Sequence, residues 1–192
     1  TGDGPSVDDL GYYTKFNYEK KYTDYKWRLP YAEGSFIAGT NADDDNMVAY
    51  TYGKKEIYFL RSIETKTHIA IFETSPREDG KEAEKQYDDD PALLVLNHMY
   101  KLDKIKLYSR NNYFGGGNPI PIKTVNFTYN YDLCHGIPNR SSQGGKLTLK
   151  ELSFTYENSS RGALSPYKFV YGNSNQPYDR MYMDRWGNFK DV

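Results

Sequence analysis

Cysteine is nearly missing from this chain. Cys134 is the one thiol in 192 residues, which excludes an intrachain disulfide framework and a cysteine-built zinc cage. Long apolar runs are missing as well: none approaches the ~20 residues a helix needs to cross a bilayer. Residues 1–10 lack the basic-then-apolar pattern of a secretory leader, so an exported protein would have lost its signal or would carry it outside this sequence. Charge of one sign is also lacking. The 25 Lys and Arg nearly balance 26 Asp and Glu, for a net charge of −1. Neither nucleic acid nor an anionic membrane would meet a bulk cationic surface. Histidine is scarce, and His68, His98 and His135 include no pair at the i, i+4 spacing of a helical zinc motif.

Aromatic rings are what the chain has in abundance. Phe, Trp and Tyr make up 16% of it, with 20 Tyr, while the mean hydropathy is −0.86. Such a composition buries rings and leaves phenol tips wet, which suits pleated, half-exposed strands better than a Leu-rich bundle.

Alternation runs through the sequence. Tyr12, Thr14, Phe16 and Tyr18 fall on one face of an extended run, and Tyr13, Lys15 and Asn17 on the other. A second run, Tyr25–Tyr31, should stop at Pro30 or lie at an edge, because proline offers a ladder no amide proton. Residues 41–46 are polar and read as a loop. The runs Met47–Tyr52, Lys55–Glu64 and Thr67–Glu73 follow, parted by Gly53-Lys54 and Thr65-Lys66, and short gaps of this kind predict a meander of hairpins. Residues 75–90 and 139–145 read as mobile loops. Asp90 and Pro91 predict a short helix near 91–99, with the proline in the first turn, before strand character returns at Tyr100–Tyr108.

An aromatic-x-aromatic signature recurs at Phe16/Tyr18, Tyr50/Tyr52, Phe127/Tyr129, Phe154/Tyr156 and Phe169/Tyr171. Rings at i and i+2 share one face of a strand and are expected to stack on the equivalent pair of the next strand. The spacings are uneven, so any repeat is degenerate. The fold expected is mainly β: antiparallel meanders or hairpins, forming one domain over 1–192 or part of a larger repeat protein.

Motifs for catalysis and metal binding are thin. Cys134 and His135 are neighbours, and on an extended chain they would point to opposite faces, unable to pair as nucleophile and base. Residues 41–46 resemble the opening of a calcium loop, with Asp43 and Asp45 as the candidate ligands. The pattern then fails, because Asn46 stands where a tight turn needs Gly, and Tyr52 where a bidentate Glu belongs. Asp88-Asp89-Asp90 reads as a solvated loop. Gly115–Gly117 lacks the spacing of a dinucleotide fingerprint and reads as a turn. Glu64 and Glu73 flank the His68 run, and a glycoside hydrolase needs no more than a carboxylate pair. No motif calls for a cofactor.

Several stretches read together as a set: Gly11–Phe16, Tyr25–Tyr31, Lys55–Leu60 with Ser62–His68, Arg77-Glu78-Asp79-Gly80, Leu102–Tyr108, Gly145–Lys150, Leu164–Phe169 and Asp184–Asn188. Together they resemble the very large Rhs/YD-repeat-like secreted or surface proteins of Bacteroidetes-type bacteria, over most of residues 11–190. Leu102–Tyr108 followed by Pro121–Tyr129 is similar to a recurring strand pair of that group, as is Leu147–Tyr156. Asp184-Arg185-Trp186-Gly187-Asn188 is similar to the core of a YD repeat, with Met183 where a Tyr would stand.

The resemblance implies an Rhs-like shell or sandwich segment of a longer polypeptide, extracellular or on the cell surface, with no catalytic residue to carry over. Its expected role is structural, in encapsulation, display or adhesion. The expected partners are neighbouring repeats or domains of the same polypeptide, with surface glycan or secretion machinery beyond them. The run after Trp186, ending at Val192, reads as a cut through a continuing protein. A carbohydrate-binding β-sandwich module is the first alternative, with Trp27, Trp186, Tyr178 and Tyr182 as the rings that would stack on sugar. A glycosidase using unassigned carboxylates is the second.

Overall fold

Val, Ile, Thr and aromatic residues alternate with Lys and Glu over long stretches, and the chain answers with long strands. The computed structural model describes Gly4, Ser6, Asp8 and residues 10–29, 51–83, 97–137, 144–172 and 175–179. Seven strands form one antiparallel sheet: β1 (Lys15–Leu29), β2 (Thr51–Glu64), β3 (His68–Lys81), β4 (His98–Ser109), β5 (Lys123–Leu133), β6 (Lys146–Thr155) and β7 (Tyr167–Lys168). Their order in the sheet is their order in the chain. This is the meander the hairpin spacing predicted.

Two expected breaks are absent, and each has a physical cause. Gly53-Lys54 lies inside β2, which runs unbroken from Thr51 to Glu64, because Gly53 pairs with Trp27 across β1 and β2; residues 47–50 lie outside the described residues. A Cβ on Gly53 would stand 2.9 Å from the indole nitrogen, so this glycine admits a ring where a turn was expected. Lys15–Leu29 is likewise one strand, with register shifts after Asn17, Lys20 and Tyr22; residues 30–31 lie outside the described residues. Such bulges let a long strand curve without ending. The turn at Thr65-Lys66 does form, closed by the Thr65 amide donating to the His68 carbonyl at 2.9 Å.

The segment expected to loop from Ser75 is strand as far as Lys81, and Glu82 and Ala83 are buried. Residues 84–90 of that expected loop lie outside the described residues, as do residues 138–143. The helix expected near 91–99 is corrected at its end, since His98 and Met99 open β4, and residues 91–96 lie outside the described residues. The described α-helix is α1, Arg110–Phe114. It begins where the Arg110 amide donates to the Thr67 carbonyl at 2.8 Å.

Two aromatic clusters, and not the repeated ring pairs, make the interior. Near the β2–β3 turn, Ile69 is 2% exposed and pairs with Tyr108 across β3 and β4, and Tyr108 meets Tyr113 of α1 at 5.2 Å between ring centroids. At the far end, Tyr22 lies 5.7 Å from Tyr25 and 6.3 Å from Tyr100, which in turn lies 5.5 Å from Phe59. These rings come from β1, β2 and β4. Beyond its short paired base (Ser62–Glu64 with Ile69–Ile71), the β1–β2 hairpin therefore bends toward the β3–β4 hairpin.

The i, i+2 ring pairs behave partly as expected. Phe127 and Tyr129 share a face of β5 and stack at 6.5 Å with 17° between planes. Their cross-strand partners are Leu152 and Leu149, not rings. Phe154 instead meets Tyr167 edge-on at 6.0 Å, and Tyr156 lies beyond the end of β6, bridged to Ser159. Phe16 and Tyr18 share the exposed face of β1, since the register shift after Asn17 places its extra residue, Arg61, on β2. Tyr50 lies outside the described residues.

Lysine stems roof many of the rings. Lys21 stands 4.8 Å from the Tyr100 centroid, Lys123 4.1 Å from that of Phe154, and Lys20, Lys55 and Lys101 between 5.3 and 5.7 Å from Tyr58, Tyr25 and Tyr129. An ammonium over a ring face is favourable by about 0.5–1 kcal/mol at exposed sites, and the methylene stem shields apolar area. A sheet with little second layer keeps its rings partly covered in this way.

Candidate functional site

The far end of the sheet gathers residues from elements distant in sequence around one cavity of about 280 Å³. Tyr25, Lys26 and Trp27 come from β1, Lys55 from β2, and Arg77, Asp79, Gly80 and Lys81 from β3, with Ala83 just beyond. Met99 of β4, Lys146 of β6, and Ile137 and Tyr178 from connecting segments complete the lining.

Backbone and carboxylate contacts hold this corner closed. The Ala83 amide donates to the Lys26 carbonyl at 3.0 Å, and the Lys26 amide donates to Glu82 Oε2 at 3.1 Å. Glu82 is 4% exposed and also accepts from the backbone and side-chain amides of Asn97, at 3.1 and 3.2 Å. The Tyr25 hydroxyl donates to the Gly80 carbonyl at 3.0 Å. Gly80 has no room for a side chain, since a Cβ would stand 2.9 Å from that of Met99.

Asp79 joins strands that are not neighbours. Its carboxylate takes a two-pronged bond from Arg77, Nε to Oδ1 at 2.8 Å and Nη2 to Oδ2 at 2.7 Å. It also accepts the Leu147 amide of β6 at 2.8 Å. Its side chain is only 1% exposed. Burial pushes the Asp79 pKa up, but the Arg77 fork and the Leu147 amide together outweigh it and hold the carboxyl below its ordinary range. Arg77 is correspondingly raised, chiefly by its bonds to Asp79. One residue away, the Glu78 amide donates to the Tyr131 hydroxyl of β5 at 3.0 Å. The β5–β6 hairpin is thus tied to the end of β3.

Of the rings expected to meet sugar, the structure brings Trp27 and Tyr178 to this one cavity. Tyr178 reaches it through a backbone bond, its amide donating to the His135 carbonyl at 2.6 Å. Tyr182 and Trp186 lie outside the described residues, as do the calcium candidates Asp43 and Asp45 and the run Asp88–Asp90. Among the described residues there is no group of three or more His, Cys, Asp or Glu able to hold a metal ion.

The remaining candidates are dispersed. Glu64 accepts from Arg110 at 2.8 Å and from Asn17 at 2.6 Å, and Glu73 pairs with Lys106 at 2.5 Å. Each of these two carboxylates, which flank the His68 strand, is thus held by a base of its own. Cys134 sits in a turn with φ of 55°, half exposed, and the His135 ring is bonded to the Asp132 carbonyl at 2.9 Å. His98 donates from Nδ1 to the Arg77 carbonyl at 2.9 Å.

Sequence reasoning missed Tyr25, Arg77 and Asp79 as parts of this corner. A signal for the last two existed: opposite charges at i and i+2 share one face of a strand. Compared with known proteins, the chain matches no family model, no curated protein and no solved structure.

Proposed function

We propose that this chain is a non-catalytic β-sheet unit of a large Rhs-like polypeptide, secreted or held at the cell surface, serving encapsulation, display or adhesion. The observation that carries this reading is the imbalance between interior and surface. Among the described residues the buried hydrophobics are Tyr25, Ile69, Ala83 and Tyr108, whereas Phe16, Tyr18, Tyr58, Tyr167, Phe169 and Val170 are exposed. Exposed rings lie on β1, β2 and β7 at the two ends of the sheet order, and also at Phe114 of α1 and at Tyr156 beyond β6. A sheet with apolar area at its two flanks is suited to stacking against sheets before and after it in one polypeptide.

The test compares this chain alone with the same chain inside its flanking sequence. The β1 amides not bonded to β2, and the amides of residues 167–171 not bonded to β6, should exchange with solvent slowly in the longer protein and fast in the isolated chain. Equal protection in both would remove the structural reading.

A second reading, a carbohydrate-binding module, is favoured by one observation: Trp27 and Tyr178 converge on the same cavity. Retardation on polysaccharide gels that disappears in Trp27→Ala would support it. A Trp27→Ala variant that merely unfolds, with no retardation of the parent chain, would count against it.

A further inference from the structure

The cavity at the far end of the sheet is more specific than a patch of rings. We infer that it takes the carboxylate-bearing ring of an acidic sugar, a uronic acid unit, an inference that rests on the carbohydrate-binding reading and names its ligand class.

Size is the first argument. At about 280 Å³ the cavity lies at the small end of ligand pockets, which run from about 300 Å³ upward, so it suits one ring and not an extended chain. The walls are the second. Trp27, Tyr25 and Tyr178 supply aromatic surface, against which the C–H face of a pyranose can lie as other apolar groups do. Trp27 is fixed from behind, with three of its indole atoms at 2.9 to 3.0 Å from where a Gly53 Cβ would stand.

Charge is the third argument and decides between neutral and acidic sugars. The cationic side chains along the lining are Lys26, Lys55, Arg77, Lys81 and Lys146, and among the described lining residues Asp79 is the sole carboxylate. Asp79 is saturated by Arg77 and by the Leu147 amide. It leaves nothing to neutralise Lys55 and Lys146, which have no salt-bridge partner among the described residues. Lys55 lies with its Nζ 5.7 Å from the centroid of Tyr25. Lys55 and Lys146 are both exposed, so an anion on the bound ring would meet two solvated ammonium groups whose attraction weakens as salt rises.

The experiment uses the full chain carrying Trp186→Phe, which leaves Trp27 as the one indole, since the chain has 2 Trp. Emission is followed on titration with glucuronate, glucose and inorganic phosphate at constant ionic strength, and calorimetry on the unsubstituted chain repeats the titrations. Glucuronate should saturate the response and bind about tenfold or more tightly than glucose, with phosphate the weakest. Lys55→Gln with Lys146→Gln should abolish that preference while leaving the response to glucose and the circular dichroism unchanged. Equal affinity for glucose and glucuronate would overturn the acidic-sugar inference and leave the carbohydrate-binding reading standing. No saturable response to either sugar would overturn both. Phosphate binding as tightly as glucuronate would also overturn it, as the mark of an anion site that does not read the sugar ring.

Discussion

Arg77 and Asp79, two positions apart on β3, form a two-pronged ion pair whose carboxylate also accepts the Leu147 amide from β6. Three parts of the chain depend on that one group: the end of β3, the start of β6, and the cavity wall between them. Replacing Asp79 with Asn should leave the partly exposed Arg77 unpaired. Complete removal of one partner from a buried pair costs about 3–5 kcal/mol. Because the Arg77 side chain is 25% exposed and water can solvate it, a loss of about 2 kcal/mol is expected. Urea unfolding at neutral pH measures it.

The same pair sets an acid limit. The folded pKa of Asp79 lies below its ordinary value of 3.8, so the stabilisation is complete well above that value and is lost as pH falls below 3.8 toward the folded pKa. The unfolding midpoint of the unsubstituted chain should therefore drop over that interval, and Asp79→Asn should drop less. Parallel curves for the two proteins would show that Asp79 is not depressed. The Glu56 carboxyl, lowered chiefly by its bond to Lys20, is on the surface and contributes equally to both proteins, so it cancels in the difference.

Gly53 and Trp27 show why part of the site escaped the sequence. A glycine between two β-rich runs reads as a turn, yet here it sits mid-strand because an indole occupies the space a side chain would take. Nothing local to Gly53 announces a ring that comes from residue 27. Ser75–Lys81 was hidden differently. Its charges and Pro76 read as solvated loop, but Arg77 and Asp79 satisfy one another, and the run is free to pair with β4. Helix α1 has no side-chain cap and forms because Tyr113 packs on Tyr108, a tertiary cause. By contrast the meander and the Thr65-Lys66 turn were legible, since alternation and short polar gaps are properties of the local chain. The convergence of Trp27 with Tyr178 was not, because it depends on how whole hairpins bend.

Gly53→Ala follows from that contact. The added methyl would stand 2.9 to 3.0 Å from three indole atoms, closer than van der Waals contact permits, so the ring or the strand must move. Overpacking of this kind costs about 1–3 kcal/mol, reduced by the 0.5–1 kcal/mol that alanine gains over glycine in a strand. The expected outcome is a lower urea midpoint together with altered Trp27 emission in the Trp186→Phe background. Unchanged emission would mean that Trp27 is not held against Gly53.

Interior and flank residues should respond oppositely. Ile69 is 2% exposed, and truncating such a residue to Ala costs about 2–5 kcal/mol. Tyr167 is 64% exposed on the last strand, so Tyr167→Ala in the isolated chain should cost about 1 kcal/mol, chiefly its edge-on contact with Phe154. In the longer polypeptide the structural reading expects Tyr167→Ala to become costly, because a neighbouring sheet would then bury the ring. Thermal melts of both variants in both contexts check this, and a Tyr167→Ala effect that stays small in the long protein would argue against stacking at that flank.

Tyr22 supplies the alkaline counterpart to Asp79. Burial first, then its contact with Tyr100, push the phenol pKa up to about 12 from 10.0, while its hydroxyl donates to the His98 carbonyl at 2.7 Å. A folded pKa above the unfolded one means that the neutral phenol stabilises the fold fully below pH 10, and that this contribution is lost as pH climbs through 10 toward 12. Tyr22→Phe keeps the ring in its cluster with Tyr25 and Tyr100 but removes the ionisable group and one hydrogen bond, at a cost of about 1 kcal/mol near neutral pH. Between pH 10 and 12 the gap between the two proteins should narrow, as the unsubstituted chain loses what the variant never had. Ultraviolet difference spectra should show the late phase diminished by one phenol in Tyr22→Phe, leaving Tyr108 and Tyr129, which burial also raises. A late phase undiminished in Tyr22→Phe would mean that Tyr22 does not resist ionisation, and the packing of β1 against β4 at Tyr100 would need another explanation.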